Sequence, residues 1–156
     1  MRPSNRWTDR VRDLGDERGA AALEFLTAGI VLLVPLVYVV LALAAVQAGT
    51  FAIEGAARHA ARVAVLAADD GAARAAVERT ARTVLEDAGL DAGAASVELS
   101  CEPEDACASA GARIRVQVAA LVTLPLVPDL FGLGLGTVRV DGVATQTVSK
   151  YAGAGR

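Results

Sequence analysis

The stretch Leu32-Leu33-Val34-Pro35-Leu36-Val37-Tyr38-Val39-Val40-Leu41 is apolar on every side of a helix, and it lies within a longer run, Phe25 to Ile53, that carries no charged side chain. A core helix of a soluble domain would show polar residues at every third or fourth position. About 20 apolar residues suffice to cross the hydrocarbon core of a bilayer as a helix. The run therefore predicts one N-terminal transmembrane helix, with the lipid bilayer as its first partner. Pro35 is compatible with this, because neighbouring helices and local backbone adjustment can satisfy the carbonyl it frees, and a mild bend is expected there.

The flanks of the run predict its orientation. Arg6, Arg10, Arg12 and Arg18 precede it, whereas only Arg58 and Arg62 follow it closely. Cations hold a flank in the cytoplasm, so the N-terminus is expected there and the remainder outside, as a single-pass protein of the cell membrane. The acids Asp9, Asp13, Asp16 and Glu17 are interleaved with the leader's arginines but count for little in this rule. The 156 residues leave room for one modest extracytoplasmic domain, and a net charge of −3 supplies no basic surface for nucleic acid.

Glu24 stands about one helical turn into the apolar segment. A charge at that depth costs a few kcal/mol on insertion scales and needs a partner. If a peptidase cut after Gly19, the new α-amino group of Ala20 would lie at the same membrane depth as Glu24 of an adjacent copy, and the two charges would neutralise each other. Gly19, with no Cβ, lets the backbone lie close to an enzyme, and Phe25 suits the membrane interface. The plainer alternative is a simple anchor whose Glu24 snorkels to the headgroups.

Gly19-Ala20-Ala21-Ala22-Leu23-Glu24-Phe25 resembles the prepilin peptidase site of type IV pilin-like proteins: Gly, four residues, Glu and an aromatic. Together with the apolar helix and Ala56-Ala57-Arg58-His59-Ala60-Ala61-Arg62, the layout resembles the TadE/TadG-like pseudopilins of bacterial tight-adherence (Flp) pilus systems. The likeness covers the first sixty or so residues well, and the later cysteine pair and closing strands more loosely. It implies cleavage between Gly19 and Ala20 by prepilin peptidase, Glu24 as the assembly carboxylate and Phe25 as the aromatic beside it. It also implies other pilin-like subunits and pilus assembly machinery as partners. The leader departs from the family pattern in carrying nearly as many acids as cations.

Beyond the membrane, Glu54 to Ala68 keeps an Ala-rich helical composition, so the anchor helix is expected to continue for several turns before Asp69-Asp70-Gly71 interrupts it. Val77, Ala81, Val84, Leu85 and Ala88 then recur at spacings of three and four, opposite Arg74, Glu78, Arg82 and Glu86, which predicts an amphipathic helix closed near Gly89. Its apolar face is expected to meet a small sheet. Ser96 to Ser100 alternates briefly, and Ile114, Val116 and Val118 alternate with Arg113, Arg115 and Gln117. A third strand is expected over Thr137 to Tyr151, with Asp141-Gly142 as a bulge or tight turn, in long antiparallel pairing with the 113–123 strand. Residues 124–136 read as an apolar loop too rich in Pro and Gly to span a bilayer, touching a membrane, a neighbouring subunit or its own domain.

Cys101 and Cys107 are the only cysteines, and an even count in an exported domain predicts one disulfide, closing a short acidic turn over Glu102-Pro103-Glu104-Asp105-Ala106. Zinc would want four ligands, and the lone His59 belongs to a distant segment; the acids lack the spacing of a dedicated calcium loop. No cofactor or metal is expected. No nucleophile elbow or phosphate-cradling loop occurs, and Gly132-Leu133-Gly134-Leu135-Gly136 lacks the strand and helix that would make it a nucleotide site. Catalysis is not expected.

These readings predict an α+β protein: a cleavable cytoplasmic leader over 1–19, a transmembrane helix over 20–53, a helical stalk and amphipathic helix over 54–94, and an extracytoplasmic β-rich head over 95–156. The function expected is that of a minor pilin or pseudopilin, assembled by helix packing through small residues such as Ala42, Ala45 and Gly49 and by the Glu24 charge pair. Two alternatives stay open. One is an exported soluble protein cut by signal peptidase near Ala48, after Val46-Gln47; the other is an uncleaved single-pass protein with a binding head.

Overall fold

The structure, a computed structural model, describes residues 6–104, 106–127 and 136–151, with side chains described from residue 20 onward. The leader's charged side chains, Asp105 and residues 128–135 of the expected loop lie outside the described residues. The fold is α+β: helix α1 (Arg6–Ala64), helix α2 (Asp70–Asp87), and strands β1 (Ser96–Glu102), β2 (Arg113–Thr123) and β3 (Thr137–Thr147). Chain contacts divide it into two units, Met1–Leu41 and Ala42–Arg156.

In the first unit, α1 is one continuous helix through Pro35. From Ala20 onward it is long and apolar enough to cross a membrane, and none of its most apolar window is buried. Phe25 is 83% exposed and Leu32 74% exposed. Side chains of this size on every face of a helix call for an apolar solvent, because water would gain nothing from them.

In the second unit, the rest of α1 is a core element. Gly49, Ile53, Ala56, Ala57, Ala60, Ala61 and Ala64 are buried and recur at spacings of three and four, one face of the helix. Almost all of them are small, so the helix backbone comes close to the sheet. A Cβ on Gly49 would overlap the side chain of Val122, and one on Gly142 would stand 3.0 Å from the backbone N and Cα of Glu54. Gly49 is thus occupied by the chain's own β2, which corrects its expected role in subunit packing; Ala42 and Ala45 are already half-buried.

α1 stops at Ala64, short of the expected Ala68, because Leu66 and Ala67 donate to Val63 and Ala64 in a tight turn. Asp69 then caps α2 in extended conformation, its carboxylate accepting from Ala72 N at 2.7 Å. Ala73, Val77, Ala81 and Leu85 bury the apolar face; Val84 is half-buried and Ala88 exposed, so the expected face shifts by a fraction of a turn. The helix closes as expected at Gly89 (φ 74°), with Gly89 N donating to Glu86 O and Leu90 N to Leu85 O, the paired bonds of a Schellman end.

The sheet is antiparallel in the order β1-β2-β3. All eleven residues of β2 pair with β3, from Arg113 opposite Thr147 to Thr123 opposite Thr137, as expected of these two segments. Two expectations are corrected. β3 ends at Thr147 rather than Tyr151, and Asp141-Gly142 is neither turn nor bulge: Gly142 sits opposite Val118 in an unbroken ladder. Glycine is there because α1 crosses that point. β1 runs two residues past Ser100, to Glu102. Ile114, Val116, Val118, Ala120 and Val122 form the inner face of β2 and complete one core with α1 and α2.

Candidate functional site

Within the first unit, α1 runs without a break through Gly19 and Ala20, the two residues expected to flank a cut. Ala20 and Glu24 are both exposed and one turn apart, and Phe25 follows on the adjacent face. Thr27 turns its hydroxyl back to Leu23 O at 2.7 Å, satisfying itself within the helix. Glu24 makes no hydrogen bond or ion pair among the described residues. It is the one carboxylate between Ala20 and Ile53, a stretch of α1 with no other charged side chain.

In the second unit, polar features gather beside the disulfide loop. Cys101 and Cys107 are joined, with Cα atoms 5.2 Å apart, well within the range a disulfide spans. Both are buried, and Asp70 ties the loop down by accepting from Ala108 N at 2.8 Å. One carboxylate of the Asp69-Asp70 pair therefore caps α2, and its neighbour fixes the disulfide loop to the same helix start. The sequence shows the doubled acid, but the bond joins residues 38 apart and no local pattern announces it.

An open cleft of about 890 Å³ lies beside this loop, lined by Arg74, Arg113, Arg115, Glu102, Glu104 and Thr145 among others. Its charges offset one another: Arg113 already stands 3.6 Å from Glu102. Mixed, exposed charges of this kind describe a solvated surface. His59 is exposed on α1 beside Arg58 and Arg62, with Arg58 held by Glu54 at 3.2 Å. Among the described residues, no group of three or more His, Cys, Asp or Glu could hold a metal ion. Two features thus stand out: the Gly19–Phe25 segment and, within the second unit, the notch where Leu121, Val122 and Thr123 flank Ala45, Ala48 and Gly49 of α1.

No family model, no curated protein and no solved structure matches this chain.

Proposed function

We propose that this chain is a membrane-anchored, pilin-like subunit, a minor pilin or pseudopilin of a tight-adherence type pilus or a related surface secretion apparatus. It acts by assembly rather than catalysis. The observation that carries the reading is Glu24: an exposed carboxylate without a partner among the described residues, one turn after Ala20, in a stretch of helix from Ala20 to Ile53 that has no other charge. An acid there costs a few kcal/mol in lipid unless it is paired. Cleavage after Gly19 by prepilin peptidase would turn the Ala20 amide into an ammonium at the depth of Glu24. Between neighbouring copies the two would attract strongly in a medium of low dielectric constant.

In this reading the N-terminus is cytoplasmic, the second unit is extracytoplasmic, and its disulfide forms in an oxidising compartment. Gly19 also lowers the cost of opening the helix for a peptidase, by about 1 kcal/mol relative to alanine.

The decisive measurement is the mature N-terminus, by mass spectrometry on native membranes that contain the cell's own peptidase. A start at Ala20 supports the proposal. A start near Gly49 would make the protein a secreted soluble domain, and an intact N-terminus would leave a plain anchor. Glu24→Ala tests the charge pair separately: assembly undiminished with the native partners present would remove the reason given for the carboxylate.

A further inference from the structure

In the order β1-β2-β3, β2 is paired on both sides, while β1 and β3 are edges. Leu124 N donates to Gly136 O and Val148 N to Ala112 O, at the two ends of the β2–β3 register. An antiparallel ladder alternates, so the even-numbered residues of β3 bond to β2, and Arg139, Asp141 and Val143 turn their N–H and C=O groups outward. Across β2 the same alternation bonds the even-numbered residues of β1 and turns Val97, Leu99 and Cys101 outward. These outward backbone groups have no partner among the described residues. No Pro, Lys or bulge interrupts either edge, the usual means of keeping a further strand away. At β1, Leu99, Ser100 and Cys101 border the open cleft of about 890 Å³.

The two edges fit each other. Laid parallel, with Arg139 of one copy beside Glu98 of the next, their outward groups come into phase: Arg139 bonds to Val97 and Leu99, and Asp141 to Leu99 and Cys101, the pattern of a parallel ladder. The same register keeps every side chain on its own face of the sheet. On the inner face Val138 comes beside Val97 and Val140 beside Leu99, none of them fully buried in a single chain. On the outer face Arg139 meets Glu98, and Asp141 comes beside Ser100, across which Arg115 stands. Within its own chain Arg139 reaches Ser96 Oγ at 3.5 Å, a contact at the long limit of a hydrogen bond. Slipping by one residue exchanges the two faces. Slipping by two in either direction sets Asp141 against an acid, Glu98 or Glu102, and like charges on neighbouring strands repel.

We propose that the second unit binds a further copy of this chain by extending the sheet, β3 of one copy lying parallel to β1 of the next. The contact joins two different surfaces of identical subunits and leaves one edge open at each end, so it repeats along a row. A two-fold β3-to-β3 pairing would be antiparallel and would leave the β1 edge open. Because Gly49 meets Val122, opposite Val138, and Glu54 meets Gly142, the Gly49–Ala64 segment follows the direction of β3. The two-fold pairing would therefore set these segments in opposite senses, whereas the parallel contact keeps them in one sense, as expected of copies anchored by the same N-terminal helix. The proposal goes beyond the Glu24 pairing, uses none of its atoms and can fail independently of it.

The test uses the full chain in native membranes, as two differently tagged copies expressed together, one carrying Ser96→Cys and the other Thr137→Cys, with Cys101 and Cys107 remaining paired. These positions are opposite each other in the register, and strands about 4.8 Å apart are within reach of a disulfide. The expected result is a mixed dimer on mild oxidation, and a ladder of higher multiples from a chain carrying both substitutions. Arg139→Glu in the Thr137→Cys copy should lower the yield several-fold, and Glu98→Arg in the other copy should restore it. Glu98→Cys with Arg139→Cys, the next pair in the register, repeats the linkage, and hydrogen exchange of β2 amides in each purified variant confirms a folded head. Folded heads without mixed dimers overturn the inference. Linkage of Arg139→Cys copies to Asp141→Cys copies overturns it in favour of the two-fold pairing, and a yield indifferent to Arg139→Glu overturns it as chance collision. The mature N-terminus, read from the same membranes, separates failure of this contact from failure of pilin-type processing.

Discussion

The two halves of α1 are the same kind of chain by composition and opposite kinds by environment. From Phe25 to Leu41 its leucines, valines, isoleucine and phenylalanine are exposed on every face; from Gly49 to Ala64 the residues that matter are a glycine, Ile53 and alanines on one face, and they are fully buried. Apolar content alone does not separate the two. Side-chain size does: large branched residues offer area to a fluid medium, whereas small ones let a second backbone approach. Gly29 and Gly142 show the contrast at single atoms. A Cβ on Gly29 would meet nothing within 4 Å, while one on Gly142 would press on the Glu54 backbone at 3.0 Å.

The sharpest way to break the comparison is to charge the first half. Leu33→Arg combined with Val37→Arg should cost about 5–7 kcal/mol of insertion free energy, at about 3 kcal/mol per arginine near the middle of a span. Carbonate extraction should then release the protein from membranes while strand amides of the second unit keep their hydrogen-exchange protection. Retention in the membrane pellet would show that this half is not held by lipid.

A smaller effect is expected from removing volume. Leu85→Ala should destabilise the second unit by about 2–5 kcal/mol, because the side chain is fully buried and the cavity cannot collapse completely. Leu36→Ala, of identical chemistry, should leave that stability unchanged. Hydrogen exchange of β2 and β3 amides in detergent reads both, and equal losses would mean that the halves share one core.

Adding volume comes next. Gly142→Ala should cost about 1–3 kcal/mol, since the obstructing atoms are backbone and cannot rotate away. Gly29→Ala should gain about 1 kcal/mol of helix stability with no clash. A neutral Gly142→Ala would mean that α1 lies further from β3 than described. Last, Asp69→Ala should lose about 1 kcal/mol through the α2 cap, seen as faster exchange in the first turn of that helix alone.

Much of this architecture is legible in the residues, because periodicity reports burial. The uncharged run, the three-and-four spacing from Val77 to Leu85 and the period of two from Arg113 to Val118 each declare an element and its face. The legible parts end where a local signal has a non-local cause. Asp141-Gly142 reads as a turn, and only the passage of Glu54 over Gly142 explains the glycine. Ala56 to Ala64 carries no large apolar residue other than the exposed Val63, so Arg58, His59 and Arg62 mark its outer face while nothing local tells how closely the alanine face is packed. The candidate site divides in the same way. Gly19 and Glu24 stand out because a short motif needs no tertiary context, while the tie between Asp70 and Ala108 and the occupation of Gly49 by Val122 come from chain folding alone.

The burial of Gly49 and Ile53 also bears on how the head can be prepared in isolation. A recombinant head begun at Glu54, where the charges resume, would lack two residues of its own core and would expose the inner faces of Val122 and Val118. One begun at Gly49 would keep those residues but place them in a first helical turn whose amides have no partners within the helix. A soluble form that behaves as the native head therefore has to retain a length of α1 that sequence alone assigns to the membrane, and it will carry that greasy handle into every buffer.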